Sequence, residues 1–241
     1  MIISHKYKFI FLKTYKTAGT SLEVFLSQHC GDGDVLTPVR PPVPPHRAQN
    51  CRGVWDVRPD LAEADALAPL HCIRRYLGTI KRLALGLKFL PHMPGRVLRR
   101  RIDPEVWNSY YKFCVERNPW DKTVSHFFML KKRSNGQLTL GEYFDEGGFC
   151  INAPIYTEGD EVLVDRVLRY ENLHDHLAEV FHDLGVPYNG HLNVHAKSSA
   201  REVRDYHDVL NDAQVEIIRQ VFQREIEMHG YTYESSKVPS S

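Results

Sequence analysis

One stretch near the start of the chain, residues 8–23, restricts the fold more than any other. The apolar run Phe9, Ile10, Phe11 and Leu12 has the length and residue types of a strand, and predicts one over 8–13. The residues from Thr14 to Gly19 predict a tight turn, and the spacing of Leu22, Phe25 and Leu26 predicts a helix over 20–29. A chain that leaves a strand through such a turn into a helix gathers backbone N–H groups and a helix N-terminus around one point. That arrangement suits phosphate or sulfate. Lys16 adds a mobile positive charge, and Thr17, Thr20 and Ser21 add hydroxyl donors. The loop is not the nucleotide triphosphatase one, because its lysine precedes the glycine and no glycine opens it. An ordinary surface turn is the plain alternative.

The pattern returns further along. Residues 110–115 predict a strand, Arg117 and Asn118 a turn, and Pro119 the first position of a helix that runs to about 132 and buries Val124, Phe127 and Phe128. Ser125 lies two turns into that helix, where a guanidinium reaching over from Arg117 meets its hydroxyl on one phosphate. His126 faces away from Ser125 and reads as structural. A third strand is predicted over 161–169, turning through Tyr170 into a helix that ends before Gly185. Lys197 and Ser198 fall in a polar loop. Asn211 and Gln214 form a capping-box variant that opens the last helix, which stops at Gly230. Strands alternating with helices predict a single α/β domain over 1–233, a mainly parallel sheet flanked by helices with its ligand at the carboxyl ends of the strands. Residues 234–241 read as a loose tail.

Charge is close to balanced, with 31 Lys and Arg against 30 Asp and Glu, but unevenly placed. Residues 71–101 carry nine Lys or Arg and no acidic residue, so the rest of the chain is net negative. This basic helical insert can steer an anionic partner, or can simply be a solvated face. The five cysteines are an odd number without a C-x-x-C pair, which suggests free thiols in a reducing compartment. No signal peptide and no bilayer span is expected. The nearest apolar run, 77–90, is interrupted by Lys81, Arg82 and Lys88, so the expected location is cytoplasmic. Five prolines in residues 37–50 predict an extended loop, either a spacer or part of an acceptor rim.

At these two loops the chain resembles the PAPS-dependent sulfotransferases, in the carbohydrate-type branch with bacterial members. Residues 15–21 look like that family's 5′-phosphosulfate motif, and residues 115–125 like its 3′-phosphate motif, with Arg117 and Ser125 at the family spacing. The resemblance runs from about Lys8 to Tyr231. It implies a P-loop-NTPase-like sulfotransferase fold and transfer of a sulfuryl group from PAPS to a hydroxyl, on a sugar or glycan, with no metal and no nucleic-acid partner. Lys16 would then neutralise the bridging oxygen as it leaves, and Thr17, Ala18, Gly19, Thr20 and Ser21 would hold the 5′-phosphate. Arg117 and Ser125 would hold the 3′-phosphate, Tyr170 would stack near adenine, and Lys197 and Ser198 would lie near the nucleotide. Pro91 stands where relatives often carry lysine. The acceptor's proton needs a base, and His92, placed before Arg96 and Arg99 as in the related motif, leads His46 and His71. Arg96 and Arg99 would either guide an acidic acceptor or only cover the helix surface.

Two rival readings remain open at this level. A phosphotransferase would want a Walker-type Gly-Lys-[Ser/Thr] and a magnesium carboxylate, for which Glu116 is the only convincing strand-end acid. A non-catalytic nucleotide- or glycan-binding module would keep the fold without turnover.

Overall fold

The computed structural model describes residues 1–65, 69–192 and 205–233. Its centre is the strand β2 (Phe9–Leu12), buried along its whole length. Phe9 and Phe11 point to one side, Ile10 and Leu12 to the other, and each set meets a separate apolar cluster. A strand with two apolar faces needs cover on both, which places it inside a sheet with helices above and below.

Five strands form that sheet, in the order β3 (Val35–Leu36), β1 (Ile2–Ser4), β2, β4 (Tyr111–Glu116) and β7 (Arg166–Arg169). β2, β4 and β7 run parallel, with Leu12 opposite Cys114 and Glu116 opposite Arg169. β1 runs antiparallel to both β2 and β3. The sheet is therefore mixed, which corrects the mainly parallel expectation. The reason lies in Ile2, Ile3 and Ser4: too short a run to read as a strand alone, it folds back on β2 through a tight turn in which Lys8 takes a left-handed φ of 54°. The strand expected over 161–169 also divides. β5 (Thr157–Glu158) and β6 (Glu161–Val162) make a separate antiparallel pair, and only Arg166–Arg169 joins the main sheet.

On one face lie α1 (Gly19–Ser27) and α9 (Leu173–Leu184), whose Leu22, Phe25, Leu26, Leu177 and Phe181 pack on Phe11 and Phe113. On the other lie α4 (Gly95–Arg99), α5 (Pro104–Ser109) and α8 (Ala153–Tyr156), through Leu98, Trp107 and Tyr156. A third apolar cluster joins α6 (Pro119–Arg133) to α7 (Leu140–Glu146), α10 (Asp212–Val221) and α11 (Gln223–His229) around Trp120, Phe127, Ile218 and Phe222. The expected last helix breaks at Phe222, between α10 and α11, while its Asn211–Gln214 capping box forms as expected. α2 (Arg58–Asp65) and α3 (Pro69–Ala84) pack on each other within the segment that precedes α4. The proline-rich loop closes on the sheet, with Val39 buried and Gln49 bridged to Leu36.

Candidate functional site

Three parallel strands end at one edge of the sheet, and each hands the chain to a turn carrying a residue singled out from the sequence. β2 leads to Lys16, β4 to Arg117 and β7 to Tyr170. The turns touch. Arg117 Nη1 donates to the Lys16 carbonyl at 3.0 Å, and the guanidinium carbon lies 4.2 Å from the centre of the Tyr170 ring. Open α/β sheets bind ligands at this edge.

The first loop holds two non-glycine residues in the left-handed region, Lys16 at φ 61° and Ala18 at φ 57°. Such backbone costs of order 1 kcal/mol per residue, and it persists where neighbours over-determine it. Here Asn152 does so: its Oδ1 accepts from the Tyr15 N–H at 2.8 Å and its Nδ2 donates to the Tyr15 carbonyl at 3.1 Å. Thr14 and Thr17 share a hydroxyl hydrogen bond of 2.8 Å. Ala18 opens α1 without a side-chain cap, and the first intrahelical bond runs from Leu22 N–H to the Ala18 carbonyl. The N–H groups of that opening turn have no carbonyl one turn back, the condition for anion binding. Gly19 is required by space. A Cβ there would stand 2.9 Å from Lys13 Cγ, and Lys13 is pinned by Glu23 and, at 3.2 Å, by the Thr20 hydroxyl.

Beneath the loop, Glu23 is fully buried between Lys13 and the Met1 amine. Burial opposes its ionisation, but the two positive charges outweigh that and hold its carboxyl below the usual range. The second unit is built differently. Asn118 caps α6 by accepting from the Trp120 and Asp121 N–H groups at 3.0 and 3.3 Å, so that helix end is already satisfied. The positive charge of this turn is that of Arg117, whose Nε donates to Asp121 at 2.5 Å. Ser125 is half-buried on the same helix.

His92 arrives from outside the sheet, in the turn before α4. Its ring stacks on Tyr15, with centroids 4.0 Å apart and planes within 6°. Nδ1 lies 3.0 Å from the Lys13 carbonyl, which can only accept, so Nδ1 carries the hydrogen and Nε2 keeps its lone pair. Burial and the positive charge of Lys13 lower its pKa to about 4, so the ring is neutral at physiological pH. His46 instead is buried at the proline-rich loop against the Thr37 carbonyl at 2.9 Å, and His71 is exposed on α3. Of the three histidines, His92 is the one shown touching the loop.

Arg96 pairs with Glu63, and Arg99 with Glu158 at 2.5 Å, so both expected acceptor contacts are engaged in ion pairs within the protein. Lys197 and Ser198 lie outside the described residues. His126 is buried and bonded to the Tyr143 hydroxyl at 3.1 Å, as a structural histidine would be.

Burial, with the charges of Lys16 and Arg133, also lowers the His126 pKa to about 4. An unfolded histidine takes its proton near 6.5, so between those values the unfolded chain holds the extra proton and stability falls with falling pH. Urea unfolding at pH 7, 6 and 5 should show this loss, and His126→Gln should flatten it by up to about 1 kcal/mol per pH unit. An unchanged slope in the variant would show that His126 titrates normally in the fold.

Sequence reasoning did not single out Asn152, Lys13, Glu23 or Lys122. Lys122, Glu116 and Glu225 form a buried charge cluster, with Lys122 Nζ 2.8 Å from Glu116 and 3.9 Å from Glu225. Glu116 also accepts from the Arg117 N–H, Asn152 Nδ2 and the Tyr156 hydroxyl at 2.9, 3.1 and 3.2 Å. Lys122 and Glu225, on the inward faces of helices, were the available signal, since such charges are rarely buried unpaired.

No helix among the described residues is long and apolar enough to cross a membrane. No family model matches the chain, and no solved structure matches it. An uncharacterised protein of Archaeoglobus fulgidus is 31% identical over 119 residues, an alignment covering 46% of this chain and 99% of that protein. Over that shared part, the chain belongs to one family with this archaeal protein.

Proposed function

We propose that the protein is a PAPS-dependent sulfotransferase acting on a hydroxyl, most simply that of a sugar or glycan. The observation that carries this reading is the hydrogen bond from Arg117 to the Lys16 carbonyl, because it joins an uncapped helix N-terminus and a cationic turn in one continuous surface at the carboxyl edge of the sheet. A ligand with phosphate at both ends of an adenosine suits such a surface. Lys16 and the opening turn of α1 would take the phosphosulfate end, and Arg117 the 3′-phosphate, with Tyr170 already stacked on its guanidinium.

The chemistry asked of the chain is modest. The acceptor oxygen forms a bond to sulfur as the sulfur–oxygen bond to the 5′-phosphate breaks. The acceptor's proton goes to Nε2 of His92, and the charge left on the phosphate is met by Lys16 and backbone dipoles. In the unliganded protein His92 is a weak base, but a bound polyanion beside it raises its pKa toward neutrality.

The phosphotransferase reading is disfavoured by Glu116. Its oxygens already serve Lys122, the Arg117 N–H, Asn152 and Tyr156 inside the protein, which leaves it badly placed to hold magnesium.

Titration calorimetry with PAP tests the binding half of the proposal. Arg117→Ala should weaken PAP by about 10²-fold, the worth of a charge-assisted phosphate contact. Arg117→Lys should recover little, because lysine lacks the planar fork that reaches Lys16, Asp121 and Tyr170 together. No detectable uptake of PAP by the unsubstituted protein at millimolar ligand would end the proposal. Binding with no transfer to any acceptor would favour the non-catalytic module.

A further inference from the structure

α3 is inside out. Ile73, Leu77 and Ile80 are 56%, 62% and 57% exposed, while Thr79 on the opposite side is 1% exposed. Arg75 and Arg82 share that inward side: Arg75 pairs with Glu63 at 2.7 Å, and Arg82 donates to the Thr79 hydroxyl at 3.0 Å. At 3.6 residues per turn, Ile73, Leu77, Ile80 and Ala84 fall within an arc of about 60°. Five of the ten large apolar side chains exposed among the described residues lie between Ile73 and Leu85, and that concentration separates this face from ordinary scattered exposure. The polar side of the helix is spent on the protein, and the apolar side faces out.

The charges beside the stripe indicate what covers it. Arg74 and Lys81 are exposed along one flank, and residues 71–101 hold nine Lys or Arg with no Asp or Glu. Antiparallel self-pairing of two copies through the stripe would set Arg74 and Lys81 against the same residues of the second copy, with no carboxylate in the segment to offset them. An anionic phospholipid surface supplies both an apolar layer for the stripe and phosphate for the flank. We propose that α3 is a peripheral membrane-binding helix that seats Ile73, Leu77 and Ile80 below the headgroups of an anionic bilayer, with Arg74 and Lys81 at the phosphate level.

This surface is not remote from the candidate site. Glu63 on α2 ties α3 to α4 by pairing with Arg75, Arg96 and Arg100, and α4 follows the turn that carries His92. The inference does not depend on the reaction catalysed, since it rests on the helix alone.

Flotation of the full chain with vesicles tests it. Phosphatidylcholine vesicles containing phosphatidylglycerol should bind at least about tenfold better than pure phosphatidylcholine, and added salt should weaken that binding. The triple variant Ile73→Ser, Leu77→Ser, Ile80→Ser should lose vesicle binding while keeping the melting temperature of the parent in the absence of lipid. Arg74→Gln with Lys81→Gln should remove the preference for anionic vesicles. Failure to float, equal binding to neutral vesicles, or a stripe-dependent dimer on gel filtration without lipid binding would each overturn the proposal. So would a lowered melting temperature in the triple variant, because it would place the stripe in the protein's own core.

Discussion

Lys16→Ala is expected to reduce sulfuryl transfer from PAPS to a hydroxyl acceptor by about 10²–10³-fold, the usual effect of removing one donor aimed at developing charge. PAP affinity should fall much less, because the opening turn of α1 and Arg117 remain. The distinction matters. A lysine that only helped to hold the nucleotide would lose binding and transfer in proportion, whereas one that meets charge appearing on the leaving phosphate loses kcat beyond its effect on binding. Alanine at this φ of 61° is strained about as much as lysine, so the loop should survive the change and the melting temperature should hold. Single-turnover transfer with labelled PAPS over a panel of hydroxyl acceptors, beside PAP titration of the same variant, gives both quantities. If Lys16→Ala transfers sulfate at the parental rate, the loop has been assigned the wrong role. His92→Ala offers a separate check, since it should slow transfer while leaving PAP binding near the parental value.

The two units that frame this site were legible in the sequence because their signals are local. A strand-sized apolar run, a turn and a helical period within sixteen residues identify β2, the Lys16 loop and α1 without reference to anything distant. The same holds for β4, Arg117 and α6, where Pro119 marks the helix start. Signals that depend on pairing were not legible. Ile2, Ile3 and Ser4 become a strand only because β2 and β3 lie on either side, so the sheet was expected to be mainly parallel. Asn152 follows β2 by well over a hundred residues in sequence, and nothing near it announces that its amide will clamp Tyr15. The partners of Arg96 and Arg99 were equally out of reach of a local reading, because Glu63 on α2 and Glu158 on β5 meet them only in the folded chain. Ile73, Leu77 and Ile80 stand at helical spacing in the sequence, but spacing alone does not say which side of a helix meets solvent.

Lys122→Met should destabilise the protein by about 3–5 kcal/mol at neutral pH, since it strands buried carboxylates without their countercharge. Lys122 and Glu116 have no exposed side-chain surface and Glu225 has almost none, so water cannot take over the role of the ammonium. Burial already pushes the Glu225 pKa up, with Lys122 pulling the other way, and removing that pull drives the carboxyl further toward its neutral form. The deficit should therefore shrink on acidification. In the variant the folded state takes up a proton at higher pH than the unfolded chain does, so falling pH favours the fold relative to the parent. Adding Glu116→Gln to Lys122→Met should recover part of the loss by removing one of the stranded charges. The consequence should also reach the site, because Glu116 holds both the Arg117 N–H and the Asn152 amide that fixes Tyr15 beside Lys16. Urea unfolding of the single and double variants at pH 7 and 5, with PAP titration of each, measures the stability and the coupling together. A single variant within about 1 kcal/mol of the parent would mean that the cluster is hydrated and the loops are held by something else.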